Sequence, residues 1–276
     1  MLEKVAVMGL CLLSSLPAFG APAPRADRSP AHASLNLEST KKALESGDET
    51  RTLAALDEIE LSADRKAAPL VDELLNRGAS GKLLVRAMGV AGALGQSASS
   101  AAIAPYIKHR TAEVRRAAAQ SLSRTKGPVA VQALRSALRS SDPALRSTAA
   151  DGLGALGAKE AVADLFVVLP KETPEAAGAI GTLCSADECK KFLALLGKLP
   201  FDVMQTGFLP ILLRTGPEVP EAVKIQAIEQ LRRLATAKAN ELLTTALTSF
   251  PANGNPKIKA AIDAALHGHS VSGEAP

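Results

Sequence analysis

One interval constrains this sequence more than any other feature. Segments that begin with a helix-starting residue recur at Ser80, Thr111, Asp142 and Thr173, each 31 residues after the one before. They read SGKLLVRAMGVAGALG, TAEVRRAAAQSLSRTK, DPALRSTAADGLGALG and TPEAAGAIGTLC. A fixed period of this size marks stacked supersecondary units, and a unit this short cannot bury its apolar face without neighbours. The chain must therefore build a repeat array.

The units are helical. Each opening residue carries a side-chain oxygen that can accept from the unpaired amides of a first helical turn. Pro143 and Pro174 follow it, where a missing N–H costs nothing. Apolar or small residues then recur at helical spacing, as in Val114, Ala118 and Leu122, or Leu145, Ala149 and Leu153. Gly95 and Gly157 stand where such helices should stop. Second helices follow: GPVAVQALRSALRSS places Val131, Leu134 and Leu138 on one face, and AKEAVADLFVVL does the same with Val162, Leu165 and Val168. DETRTLAALDEIEL and RKAAPLVDELLNRG form a further pair upstream. Downstream the period loosens. DVMQTGFLPILLRTG starts at Asp202, only 29 residues after Thr173. PEAVKIQAIEQLRRLA and KANELLTTALTSF are amphipathic, and NPKIKAAIDAALHG from Asn255 repeats the opening pattern with Ile258, Ile262 and Leu266. The pattern leaves open which member of a pair each of these is. Composition agrees with an all-α fold: aromatics are 3% of the chain and Trp is absent, so the core is Ala, Leu, Val and Ile.

The openings TAEVRRAAAQSL and DPALRSTAADGLGALG, followed by AKEAVADL, resemble short HEAT-like repeats of the phycobilin-lyase type, over residues 48–199. Tetratricopeptide repeats want aromatic positions this chain lacks, and ankyrin repeats want a Thr-Pro-Leu-His run that is absent. The predicted fold is an all-α solenoid of stacked helix–turn–helix units. It occupies residues 36–268, with the clearest period over 80–199. Before it, residues 1–20 read as a secretory signal: Lys4, an apolar run from Val5 to Leu16, Pro17, then Ala18-Phe19-Gly20 with small residues at both positions a signal peptidase reads. Leu10 before Cys11 argues against a lipoprotein. Residues 21–35 read as a flexible Pro/Ala-rich leader and 269–276 as a disordered tail.

Gly152, Gly154 and Gly157 match the spacing G-x-G-x-x-G. A dinucleotide fingerprint follows a strand and opens a helix. These glycines end a helix, so close packing and a helix stop are the expected roles. The four histidines are His32, His109, His267 and His269. His109 ends a helix in YIKHR, where capping is expected, and HGH near the C-terminus has no further ligand at metal-binding spacing. Cys184 and Cys189 flank a tight turn, with Ser185 and Glu188 placed as a capping box. They are a candidate disulfide; otherwise they are small buried hydrophobes.

Charge is unevenly spread. Residues 108–146 hold nine Lys and Arg against two acids, Glu113 and Asp142, in a chain of net charge +4. Gln132, Arg135 and Arg139 share one face of a second helix. The resemblance implies that second helices line the concave surface, which makes these three the candidate partner-binding residues, facing an acidic ligand. Arg115 and Arg146 share a repeat position, where the resemblance implies bonds to carboxylates between units. The sequence thus points to an exported, non-catalytic protein–protein interaction scaffold with an acidic protein partner. It implies no cofactor, metal or nucleic acid, and no stable membrane insertion once the signal is cleaved. A tetrapyrrole lyase-like enzyme and a HEAT-like nucleic-acid-binding protein are the alternatives. Both want aromatic residues at the site, and the patch has only Tyr106 near it.

Overall fold

The structure is a computed structural model and describes residues 35–268. The segments read as signal peptide and tail, and nearly all of the leader, lie outside the described residues. Fifteen α-helices and short 3₁₀ turns follow one another, with no β-strand among the described residues. The first five helices are α1 (Leu37–Glu45), α2 (Glu49–Ser62), α3 (Ala68–Arg77), α4 (Gly81–Leu94) and α5 (Ser100–Ile103). Then come α6 (Ala112–Leu122), α7 (Pro128–Ala137), α8 (Pro143–Ala155), α9 (Val162–Val168) and α10 (Pro174–Leu183). The last are α11 (Ala186–Leu193), α12 (Phe201–Leu213), α13 (Glu221–Leu234), α14 (Ala237–Thr248) and α15 (Pro256–Leu266).

They form two layers. The even-numbered helices α2 to α14 each pack on the next even-numbered one, making the first layer. The odd-numbered helices make the second, and α3, α7, α9 and α13 each pack on the first-layer helix that follows. One core runs between the layers, from Leu44 to Ile262. It is an all-α solenoid, as the period predicts. Stacking joins neighbours in sequence, and the long-range polar contacts show it. Arg86 to Asp57, Arg116 to Asp142, Arg135 to Asp164, Ser147 to Glu175 and Thr206 to the Pro174 carbonyl are separated by 29, 26, 29, 28 and 32 residues. Each unit is hydrogen-bonded to the next and to no distant one in this set.

The helix starts follow the sequence in part. Asp142 caps α8 by accepting from the amides of Ala144 and Leu145, and Ser80 accepts from Leu83. Thr111 and Thr173 make no side-chain cap. At the first of these, His109 takes a local role instead: its Nδ1 accepts from the Thr111 amide at 3.1 Å. Before α11 the expected capping box of Ser185 and Glu188 forms, with the Ser185 amide donating to the Glu188 carboxylate at 2.8 Å. Gly95 and Gly157 end their helices at φ of 63° and 70°, a conformation that costs glycine nothing.

The glycines of the G-x-G-x-x-G run do pack closely. A Cβ on Gly152 would lie 2.8 Å from Ser123 Cβ, and one on Gly154 would lie 3.2 Å from Ala179. The tightest helix–helix approach is between α10 and α12, where a Cβ on Gly181 would collide with the Gly207 carbonyl oxygen and one on Gly207 would lie 2.6 Å from the Ala177 carbonyl oxygen. Here the few aromatics gather, with Phe208 5.6 Å from Phe192 and 6.1 Å from Phe201 between ring centres. This junction is where the sequence period loosens. The phase beyond it is now fixed: α12 and α14 are first-layer helices, α13 and α15 second-layer ones. The opening pattern at Asn255 therefore starts a second-layer helix. Its cap is real, since Asn255 accepts from the Lys257 amide, but a cap marks a helix start and not a layer.

A groove across the first-layer helices

The sequence candidates are separated by the fold. Gln132 lines a shallow hollow on the second layer with Ala101, Pro105, Lys108, Val129 and Ser136. Arg135 and Arg139 do not line it. Both turn to Asp164 on α9, Arg135 Nε at 2.6 Å and Arg139 Nη2 at 3.6 Å. Both arginines thus reach the one carboxylate of the neighbouring unit, and the Arg139 side chain stays 79% exposed. Other cations of the basic stretch are also engaged. Arg116 makes two hydrogen bonds to Asp142, at 3.0 and 3.1 Å. Arg115 Nη1 donates to the carbonyls of His109 and Arg110, and Arg146 Nη1 to those of Ser140 and Ser141. The shared repeat position is thus a shared role, but the main acceptors are backbone carbonyls after the preceding helix. Only Arg115 also approaches a carboxylate, Asp142 at 3.7 Å.

The first-layer face carries a longer feature. A hollow of about 600 Å³ spans α4, α6 and α8, with Val85, Glu113, Arg116, Gln120, Thr148 and Asp151 on its walls. A second, of about 390 Å³, lies between α8 and α10 and extends to Thr206 on α12. Asp151 and Glu175 belong to both, so the two are continuous. A third, of about 600 Å³, joins α12 to α14 and shares Thr206 with the second. Together they form one open groove across six consecutive first-layer helices. Its floor is made of what the repeat keeps small: Ala117, Ser147, Gly154, Gly178 and Ala179. Ser147 and Gly178 share one repeat position, one period apart, and Ala117 and Ala179 share another, two periods apart. The groove is therefore a repeat property.

Asp142 is the best-defined ion pair beside the groove. The Arg116 guanidinium holds its carboxyl below the usual carboxylate range, helped by the Leu145 and Ala144 amides. Farther along, Cys184 and Cys189 form a disulfide, with Cα atoms 5.3 Å apart, so this candidate pair is joined. Arg214 extends from the end of α12 and donates to the carbonyls of Thr182 and Cys184. Buried Lys224 donates to the Arg214 carbonyl. Burial, and secondarily the Arg214 charge, pushes the Lys224 ammonium below the usual lysine range.

The fold defines the class, an all-α solenoid. Residues 67–142 and 100–183 match the HEAT repeat family model. No curated protein sequence matches the chain. Among solved structures, the complex of CpcE and CpcF of phycocyanin lyase from Nostoc sp. PCC7120 is similar at 17% identity, with 87% of this chain and 99% of that chain covered and a TM-score of 0.46. An engineered protein is similar at 17% identity, with 84% of this chain and 67% of that chain covered and a TM-score of 0.47. Neither likeness bears on activity or partner.

Proposed function

We propose that this chain is an exported, non-catalytic scaffold that binds a protein partner along the first-layer groove. The observation that carries the reading is the continuity of that groove over six helices. A long, open, shallow face suits a polypeptide and does not enclose a small molecule. The described histidines, His109 and His267, are absent from its walls, and its polar groups are hydroxyls, carboxamides, carboxylates and paired cations. Export is supported by the sequence of residues 1–20 and by the Cys184–Cys189 disulfide, a bond that persists in oxidising compartments.

The test is capture of partner protein from an envelope extract with three baits. Thr148→Arg with Thr182→Arg fills the groove and should abolish capture seen with the native chain. Arg135→Gln with Arg139→Gln should leave capture intact, because those side chains serve Asp164. Capture that survives the first pair and fails with the second would move the partner surface to the second layer and refute this assignment.

A further inference from the structure

We infer that the groove takes a basic partner: an extended polypeptide segment presenting lysine or arginine side chains to Glu113, Asp151, Glu175 and Glu241. This rests on the reading of the groove as a docking surface and names the chemistry of what docks. The groove walls carry two bases and four acids. Each base is already engaged by a carboxylate outside the walls, Arg116 by Asp142 at 3.0 Å and Lys238 by Asp202 at 2.6 Å. The acids are not balanced in the same way. Among the described residues, Glu113, Asp151 and Glu241 have no cation or hydrogen-bond donor on their carboxylates, and Glu175 accepts only the Ser147 hydroxyl at 2.8 Å. The groove therefore presents uncompensated negative charge, although the chain is +4 overall and the sequence around it is basic.

Geometry supports the same partner. Three of the acids, Glu113, Asp151 and Glu175, sit on successive first-layer helices, α6, α8 and α10, and Glu241 lies farther along on α14, beyond α12, so they form a series along the stack. Packed helices are roughly 8–10 Å apart. Side chains on one face of an extended segment recur roughly every 7 Å. Long lysine and arginine stems absorb the difference while their apolar methylenes cover the Ala and Gly floor. A groove with an excess of one sign also concentrates an oppositely charged ligand.

Fluorescence anisotropy on the purified chain tests this with a labelled peptide of alternating lysine and alanine and a counterpart of alternating glutamate and alanine. The lysine peptide should bind, and weaken as salt is raised, while the glutamate peptide should not bind. Glu113→Gln, Asp151→Asn and Glu175→Gln combined should lower affinity about tenfold, from three exposed pairs each of modest worth. An equal change of charge on the second layer, Glu73→Gln, Glu160→Gln and Asp187→Asn, should leave affinity unchanged. Unaltered thermal melts keep the comparison free of folding effects. Preference for the glutamate peptide, absence of lysine-peptide binding, or equal losses in the two triple variants would overturn the inference. If the groove-filled bait nevertheless loses its captured partner, the scaffold reading stands and only the partner's chemistry falls.

Discussion

Asp142 does two jobs at once: it caps α8 and receives Arg116 from α6. Both favour its charged form, so its folded pKa is depressed, and the stability it supplies is present above the unfolded pKa and lost as pH falls through the folded one. The predicted signature is a difference in urea stability between the native chain and Asp142→Ala of about 1 kcal/mol at neutral pH, shrinking below about pH 4. Lys224 runs the other way. Its folded pKa lies below its unfolded one, so the unfolded chain holds the extra proton at alkaline pH and stability rises there. Relative to Lys224→Met, the native chain should gain stability as pH rises toward the unfolded lysine value of about 10.4, read from paired denaturation curves. At this scale the sequence was a fair guide to Asp142, because a cap is a local motif. It could not show that Arg115 and Arg146 serve carbonyls, or that Arg135 and Arg139 share Asp164. The carbonyls are presented by the path of the loop just before each helix, and Asp164 comes into reach only when units stack.

The α10–α12 junction decides how the later helices continue the array. Gly207 faces the Ala177 carbonyl and the Phe192 ring so closely that a methyl group has no room. Gly207→Ala should cost about 2–3 kcal/mol, against a small effect for Gly178→Ala, whose nearest neighbour would be 3.8 Å away. Chemical denaturation of the two variants checks the contrast. Replacing both Cys184 and Cys189 by Ser should cost about 2 kcal/mol, as expected for releasing so short a closed loop. In the native chain taken from an exported preparation, both should resist alkylation until a reductant is added. Helix existence was legible here, from the spacing of apolar residues. Layer membership was not. Asn255-Pro256 opens α15 as Asp142-Pro143 opens α8, yet one is in the second layer and the other in the first. Both need a cap and an apolar stripe, and neither signal encodes the neighbour.

Across the whole array, the period alone predicted the architecture, because units that cannot stand alone have only stacking available to them. The proposed docking face was harder to read. Sequence reasoning followed the charged side chains Arg135 and Arg139 to the second layer, whereas the groove is made by side chains that are missing: Ala117, Gly154, Gly178 and their neighbours. Small residues look like packing in a sequence, and here some of them pack while others leave a surface open. The central claim is that a protein partner lies along this first-layer groove. Its most direct test is a photo-crosslinking amino acid placed in the living cell at Gln120, Thr182 or Thr206 in the groove, and at Gln132 or Lys108 on the opposite layer. The account predicts a discrete protein adduct from the three groove positions and none from the other two. Adducts confined to Gln132 and Lys108 would contradict it.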